Sequence, residues 1–593
     1  MARTPGRPAL NNSMAGVVLQ CLAVFLWLIP GLGLPLARMC PLEPRERMTV
    51  AWLGGAVMLY LLTTGLYLSA VPAPAWRWLG LAAIAAWLTS WREARSWWRD
   101  RPARRQLAHW LLVSAWVLTA LACIRNYSGG DWIGDWAGHY QRAVYFLRQD
   151  PSVRWIFTLD PLTARAPLQN LVTAGLLAFS SAGFAHYQVF TALLGTLVVF
   201  PLGLIAATIG RRSEAGACLS LLLVLNPMFV ENATYPWTKL GCAAFVVAGL
   251  AFFIRAMPGD DLSRWVIAVL AFGAGVLAHY SAVPYFLVFA AAYLGLHRRV
   301  WRTADFWART GRLGVAAGLL LATWFGWAVA RTGWSATVGT NTTAQYLRVM
   351  SAGQQLAAFG LNLTRTLFPP AVLAMDDGFL THANTAATMR DYAFSLYQTS
   401  LPCMIGTGAL AILIGWTAMR RAGGWKRVPL PAGSWIVVAA IVVLGVAVHT
   451  APVRWGVGHI CLQPLALAVV AGVAGLVSGS SAWVRRWLAI GLVLDGAAGV
   501  ALQLWIEHLA VPISALALQD GALLRRIYGL SLANNAAEKV ALQFVFLGDG
   551  AWAPRFLLAI FALLLMLAVR LAAENLKPAI DLSRANPPES PPT

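Results

Sequence analysis

Apolar runs about as long as a bilayer is thick recur along this chain of 593 residues. A hydrocarbon core of ~30 Å takes ~20 helical residues to cross. Such runs fall at 14–37, 50–71, 76–90, 107–124, 167–183, 186–209, 215–230, 239–255, 265–279, 282–296, 313–330, 399–419, 433–449, 457–478, 487–506 and 554–573. A soluble domain has no interior large enough to hide them. With 59% hydrophobic and 12% charged residues, the expectation is an all-α polytopic membrane protein. The first run is too long, and followed by too many others, to be a cleaved signal peptide.

Charge sets the orientation. The net charge of +21 invites a nucleic-acid partner, but the arginines sit in short turns between apolar runs, and no basic helix or aromatic ribbon for nucleic acid is present. Clusters fall at Arg92–Arg105, Arg211-Arg212, Arg255 with Arg264, Arg298–Arg302, Arg420–Arg427 and Arg485-Arg486. Cytoplasmic loops carry such an excess. The intervening turns, at 231–238, 279–281 and 449–456, and the long loops 125–166, 331–398 and 507–553 then share the opposite, outward face, and the N-terminus lies outside. Between 166 and 211 the alternation demands an odd number of crossings, yet two apolar segments occur; 167–183 is short and either enters the membrane only partly or breaks the rule. Seven cysteines, with no Cys-x-x-Cys pair, exclude a disulfide framework and a thiolate zinc site.

Chemistry-bearing residues concentrate in the outward regions. The loop after the 107–124 run reads Asn126-Tyr-Ser-Gly-Gly-Asp131-Trp-Ile-Gly-Asp135-Trp-Ala-Gly-His139-Tyr140-Gln-Arg142. Its glycines let the backbone approach a ligand. Asp135 stands where a cap would open an amphipathic helix over 136–148, suited to the membrane interface. Either acid is equally a candidate general base, and a carboxylate here could also hold a divalent cation. Arg165, in Leu162-Thr-Ala-Arg165-Ala-Pro167-Leu, has the planar fork that matches phosphate, or it snorkels to headgroups. The turn Asn226-Pro-Met-Phe-Val-Glu231-Asn-Ala-Thr-Tyr235-Pro-Trp237-Thr-Lys239 supplies a second candidate phosphate ligand in Lys239. His279-Tyr280, and Arg454 beside His459, stand at two further outward ends. Together these residues would ring one cavity with positive charge around two carboxylates.

The order of an apolar helix, an outward acidic loop, an interfacial helix, Arg-x-Pro-Leu, a Gly-Arg-Arg turn at 210–212 and an Asn-Pro-Met-Phe turn resembles the GT-C superfamily of integral membrane glycosyltransferases. Nearest in pattern is the bacterial branch related to aminoarabinose transferases and protein O-mannosyltransferases. The resemblance spans about 107–330. It implies a GT-C-like helical bundle with periplasmic loops, a polyprenyl-phosphate sugar donor, a catalytic Asp at Asp135 and a basic partner at Arg165. The chain departs from the pattern in three places: Trp136 follows Asp135 where the family often has a second acid, Ala166-Pro167 stands for Pro-Pro, and Tyr-Pro-Trp-Thr-Lys239 replaces an Arg-x-x-Asp-like element.

The expected organisation is therefore added N-terminal helices over 1–106, a catalytic core over 107–330, a periplasmic loop over 331–398, C-terminal helices over 399–573 and a disordered Pro-rich tail over 574–593. The expected function is inverting transfer of a sugar from a polyprenyl-phosphate donor to an envelope glycan, lipid or protein acceptor. Asp135 or Asp131 would be the base, and Arg165, Lys239, His139, Arg142, His279, Tyr280 and Arg454 would bind substrate. Abundant Arg, Ala and Gly with little Lys suit a GC-rich bacterial genome, hence an inner-membrane enzyme facing the periplasm. A transporter or flippase for a lipid-linked or anionic solute is the rival, but it would favour mid-membrane charges and internal repeats; the spans are nearly free of charge, Asp495 and Glu507 being the main acids in or beside the late ones, and no repeat shows. A membrane scaffold without catalysis is a third reading, which leaves the clustered charges unexplained.

Overall fold

The computed structural model describes residues 14–124, 127, 133–149, 162–210, 215–339, 351–367, 435–440, 463–481, 483–485 and 546–549, with a few single positions besides. Among these residues the chain is helical, with no strand. The expected spans at 399–419 and 554–573 and most of 433–449 and 487–506 lie outside them, as do the expected disordered tail, Asp131 and Arg454.

Two long helices open the fold, α1 (Met14–Met39) and α2 (Pro44–Leu68). They form a tight antiparallel pair because small residues face each other at the crossing. A Cβ added at Gly33 would overlap the carbonyl of Ala51, and one at Gly55 the carbonyl of Ile29. Close backbone approach of this kind supplies the van der Waals contact that holds helices together in lipid, where no hydrophobic force separates them from the tails. Gly55→Ala should therefore force the pair apart and cost about 1–3 kcal/mol; a melting temperature of the detergent-solubilised variant equal to wild type would contradict it.

Short helices α3 (Trp78–Thr89) and α4 (Trp91–Arg99) lead into α5 (Arg101–Leu121). Asp100 caps α5, its carboxylate accepting from the Ala103 N–H at 2.8 Å, with Pro102 in the first turn. The next helix, α6 (Ile133–Arg148), begins two residues before Asp135. Asp135 thus sits inside the first turn rather than at the cap position, a place where the helix dipole still favours a carboxylate.

The disputed stretch 167–209 resolves by length. The helix α7 (Leu168–Leu177) has 10 residues, which rise only ~15 Å and cannot cross. The following α8 (Phe184–Thr196) and α9 (Val199–Gly210) run on as one span of 27 residues, Phe184–Gly210. The stretch thus offers one candidate span, Phe184–Gly210, with α7 too short for a second.

Beyond it, α10 (Ala215–Val224) and α11 (Pro227–Thr234) are bent by 73° at Leu225-Asn226. Pro227 cannot continue the ladder of α10, and Asn226 recaps the chain by accepting from the Met228 N–H at 3.0 Å. The expected exposed turn is consequently a buried helix: Glu231, Asn232 and Thr234 are all shielded from solvent. Then follow α12 (Lys239–Ala256), α13 (Leu262–Ala278), α14 (Val283–Leu296), α15 (Ala304–Ala322) and α16 (Phe325–Trp334), the last two bent by 61°. Late in the chain come α17 (Ala352–Leu367) and α18 (Gln463–Ser478), the latter packed on α9 and α10. Among the described residues four stretches are long and apolar enough to cross a membrane, α1, α2, the α8–α9 run and α12, or six if each bent pair counts as one.

The bundle has two chemically distinct ends. At one, Arg38 reaches the Thr89 carbonyl (2.8 Å), Arg47 pairs with Glu93 (3.1 Å), Arg255 and Arg264 meet Glu46, and Arg309 meets Asp260 (2.6 Å). The basic turns at 92–105, 255–264 and 298–309 thus gather together, as their alternation in the sequence demands. At the other end, Arg77 donates to the Ala178 carbonyl at 3.3 Å, beside the segments that carry the candidate chemistry.

Candidate functional site

An aromatic and amide network fixes the loop that leaves α5. Tyr127 is buried, its hydroxyl donating to the Thr234 carbonyl (2.8 Å) and accepting from Gln188 Nε2 (2.6 Å). The other end of the Gln188 amide, Oε1, accepts from the Leu547 N–H at 3.0 Å. Around this chain of bonds the rings of Tyr127, Trp136, Phe184 and Phe546 pack with centroids 5.1–5.7 Å apart, a spacing at which aromatic pairs attract. Gly548 completes the seat: a Cβ there would overlap the Ile124 carbonyl at the end of α5. A loop more than 350 residues further along the chain therefore forms one wall of the site, Leu547 standing 359 positions after Gln188.

Helix α6 is held inside the protein, not along a lipid interface. Trp136 and Phe146 are buried on one side, and His139 and Arg142 are also buried, 6% and 5% exposed. Ring contacts explain why: Phe146 meets Tyr67 and Trp324 at 5.0 and 5.8 Å, and Tyr140 meets Phe184 and Tyr187 at 5.2 and 5.3 Å. His139 and Arg142 lie between Trp136 and Phe146 at steps of three and four residues, so polar and aromatic side chains share one face, and that face meets protein. Tyr140 donates to the Ala182 carbonyl at 2.7 Å, and burial pushes its phenol up to about 12 against the pull of Arg148, so it stays a neutral donor.

The Arg165 segment is pinned on both sides. Thr163 Oγ1 accepts from Thr332 Oγ1 at 3.1 Å, and the Ala164 carbonyl accepts from the Tyr280 hydroxyl at 2.7 Å. This bond brings two separately chosen sequence candidates, Arg165 and Tyr280, to one place. Just beyond, Gln169 donates to the Trp237 carbonyl at 2.7 Å and joins α7 to the start of α12. There Lys239 is 7% exposed, its Nζ 3.7 Å from the centroid of the Trp237 ring, within cation–π reach. One turn on, Cys242 Sγ lies 3.7 Å from the His279 carbonyl. His279 itself opens the short turn of 3-10 helix Tyr280–Ala282, accepting from the Ser281 N–H at 3.1 Å.

The structure thus gathers His139, Arg142, Arg165, Lys239, His279 and Tyr280 at the end of the bundle opposite the basic turns. The backbone of Asp135 enters the same region in the first turn of α6; its side chain, and all of Asp131 and Arg454, lie outside the described residues. Among the described residues no three His, Cys, Asp or Glu side chains converge as a metal site would require.

Several residues that build the site were not singled out in the sequence: Tyr127, Gln188, Gln169, Phe546 and Gly548, with Gln463, which bonds Asn232 and ties α18 to α11. A usable signal was present. Gln169 and Gln188 are amides inside or beside apolar runs, where an unsatisfied polar group is costly and so marks a specific partner.

No protein-family model matches the sequence, and no curated protein matches it. Solved structures do. The chain is similar to ArnT from Cupriavidus metallidurans bound to undecaprenyl phosphate, at 15% identity over 79% of this chain and 77% of that one, with a TM-score of 0.40. It is also similar to the archaeal oligosaccharyltransferase AglB from Archaeoglobus fulgidus in complex with an inhibitory peptide and a dolichol-phosphate. Here the identity is 14% over 74% of this chain and 60% of that one, with a TM-score of 0.38.

Proposed function

We propose that this protein is a membrane glycosyltransferase of GT-C type that takes a sugar from a polyprenyl-phosphate donor and places it on an acceptor hydroxyl at the periplasmic face of a bacterial inner membrane. The observation that carries the reading is the burial of Arg142 and Lys239 at the end of the bundle from which the Asp131–Asp135 loop springs. Cations are expensive inside an apolar bundle, and where they occur they mark the path of an anion. Glu231, on the neighbouring α11, is buried at the same end. A polyprenyl-phosphate headgroup fits the sign of the two cations.

The reaction needs two services. As the bond between the anomeric carbon and the phosphate oxygen breaks, charge grows on the leaving phosphate; Lys239, Arg142 and Arg165 stabilise it, with Arg454 as a further candidate, an electrostatic contribution that is often the largest single one. As the acceptor oxygen bonds to the same carbon from the opposite side, its proton passes to Asp135, which inverts the anomeric centre. His139, His279 and Tyr280 position the sugar and acceptor hydroxyls. The acceptor is an envelope glycan, lipid or protein.

The test is turnover of a panel of polyprenyl-phosphate sugars by membranes carrying the wild type or Lys239→Met. Wild type should transfer at least one sugar, and Lys239→Met should lower kcat/KM about 10²-fold, with Lys239→Arg recovering part of the loss. Failure of the wild type to bind or turn over any donor, with solute-dependent transport in reconstituted vesicles, would replace the enzyme reading with a transporter.

A further inference from the structure

The opposite end of the bundle holds a cavity with its own chemistry. A space of about 280 Å³ opens between α2, α5, α9 and α10, lined by Arg45, Arg105, Gln106, His109, Gly203 and Gly216 among others. Its walls are built. Arg45 donates through Nε to Gln106 Oε1 (3.1 Å) and through Nη2 to the Gly203 carbonyl (3.2 Å), and Gln106 in turn donates to the Phe200 carbonyl at 2.7 Å. His109 Nδ1 lies 3.1 Å from Ser220 Oγ. The glycines give these side chains room: a Cβ at Gly216 would come within 2.8 Å of the His109 ring, and one at Gly203 within 3.2 Å of Gln106 Nε2.

Charge sets this cavity apart from its surroundings. The neighbouring arginines are matched, Arg47 by Glu93, Arg255 and Arg264 by Glu46, and Arg309 by Asp260. Among the described residues neither Arg45 nor Arg105 has an ion pair, and both acceptors of Arg45 are neutral. Glu43 and Asp100 lie within electrostatic reach of Arg45. Both are engaged, Glu43 with Arg255 at 2.6 Å and Asp100 with the N-terminus of α5. Two guanidinium groups therefore face a recess without a matching carboxylate, in the part of a membrane protein where phosphate headgroups lie.

We propose that this cavity binds a phosphate-bearing anion, supplied either as the headgroup of an anionic membrane lipid or as free phosphate. The planar forks of Arg45 and Arg105 suit phosphate oxygens. The cavity is separate from the candidate glycosyl-transfer site: Arg105 and the far end of α5 at Leu121 are sixteen residues apart, roughly 24 Å at the helical rise. An anion here would join α2, α5 and α9–α10 and stabilise the bundle by mass action.

The experiment uses the purified full chain in neutral detergent, with its melting temperature followed against short-chain phosphatidylglycerol, short-chain phosphatidylcholine and sodium phosphate at constant ionic strength. Phosphatidylglycerol should raise the melting temperature saturably and phosphatidylcholine should not. Arg105→Gln should raise the half-saturating concentration about tenfold, with Arg105→Lys in between. Arg105 has no hydrogen bond among the described residues, so the Gln variant keeps the unliganded fold, which its ligand-free melting temperature checks. A shift from phosphate alone assigns the anion to solution, and a shift from phosphatidylglycerol only assigns it to the bilayer; both uphold the site. Equal shifts with the two lipids, no saturable shift with any ligand, or an unchanged response in Arg105→Gln would overturn it.

Discussion

Asp135→Asn should cut sugar transfer by about 10²–10⁴-fold, the share that a positioned general base supplies, while donor binding stays near that of wild type. Asn preserves the shape of the side chain and removes only its ability to accept a proton. This position is suited to the task. It lies near the start of the described part of α6. The turn is fixed in place, since Trp136, the next residue, is fully buried against Tyr127, Phe184 and Phe546. Single-turnover transfer and donor binding, measured side by side in membranes, separate the outcomes. Loss of both together would make Asp135 a structural residue. Survival of transfer in Asp135→Asn, with loss in Asp131→Asn, would move the base to Asp131.

The second large effect concerns the opposite end of the molecule. Glu46→Gln should destabilise the bundle by about 3 kcal/mol, the lower part of the range for breaking a buried ion pair from one side. The carboxylate of Glu46 is fully buried and accepts from Arg255 Nε at 2.6 Å and from Arg264 Nε and Nη2 at 2.9 Å each. Its remaining capacity is filled by the Glu43 N–H at 3.1 Å, in a capping box at the start of α2. One side chain thus joins α2, α12 and α13, and Arg255 extends the joint to Thr208 on α9 at 3.2 Å. Gln cannot offset two guanidinium charges, each only 17–21% exposed. A melting temperature equal to wild type would show that the joint contributes nothing. Glu43 and Asp261 also pair with Arg255 and Arg264, at 2.6 and 2.8 Å, so Glu46→Leu with Arg255→Met and Arg264→Met should recover only part of the loss.

The sequence displayed the fold class and the two ends of the bundle plainly, because both follow from local quantities: the length of an apolar run and the placement of arginine. It displayed helix α6, but not its burial. An alternating polar and aromatic face looks alike against lipid and against protein, and only the partners Tyr67, Phe184 and Trp324, drawn from three other segments, decide between them. The bend at Asn226-Pro227 was legible as a break. That the segment after it is buried, Glu231 and Asn232 included, involves partners far along the chain, such as Gln463, more than 200 residues later. The segment 167–183 left the number of crossings open in the sequence; that its helix holds only the ten residues Leu168–Leu177 is visible in the structure alone. Within the candidate site, charged residues were found because charge is rare in this chain. The amides and rings that hold them, Gln188, Tyr127 and Phe546, blend into a composition already rich in aromatic and apolar residues.

The seat of Leu547 and Gly548 against Gln188 and Ile124 has a consequence for how the protein is made. Insertion proceeds from the N-terminus, and Leu547, 359 positions after Gln188, is synthesised roughly 20–70 s later at usual rates of elongation. Throughout that interval the early helices are in the membrane with one wall of the site still missing. A ribosome that stops short of residue 546 releases a bundle complete in its first spans but without the loop that closes the aromatic network. Function would then report on completed translation, and a fragment ending after α18 could regain it only if the missing loop were supplied as a separate chain.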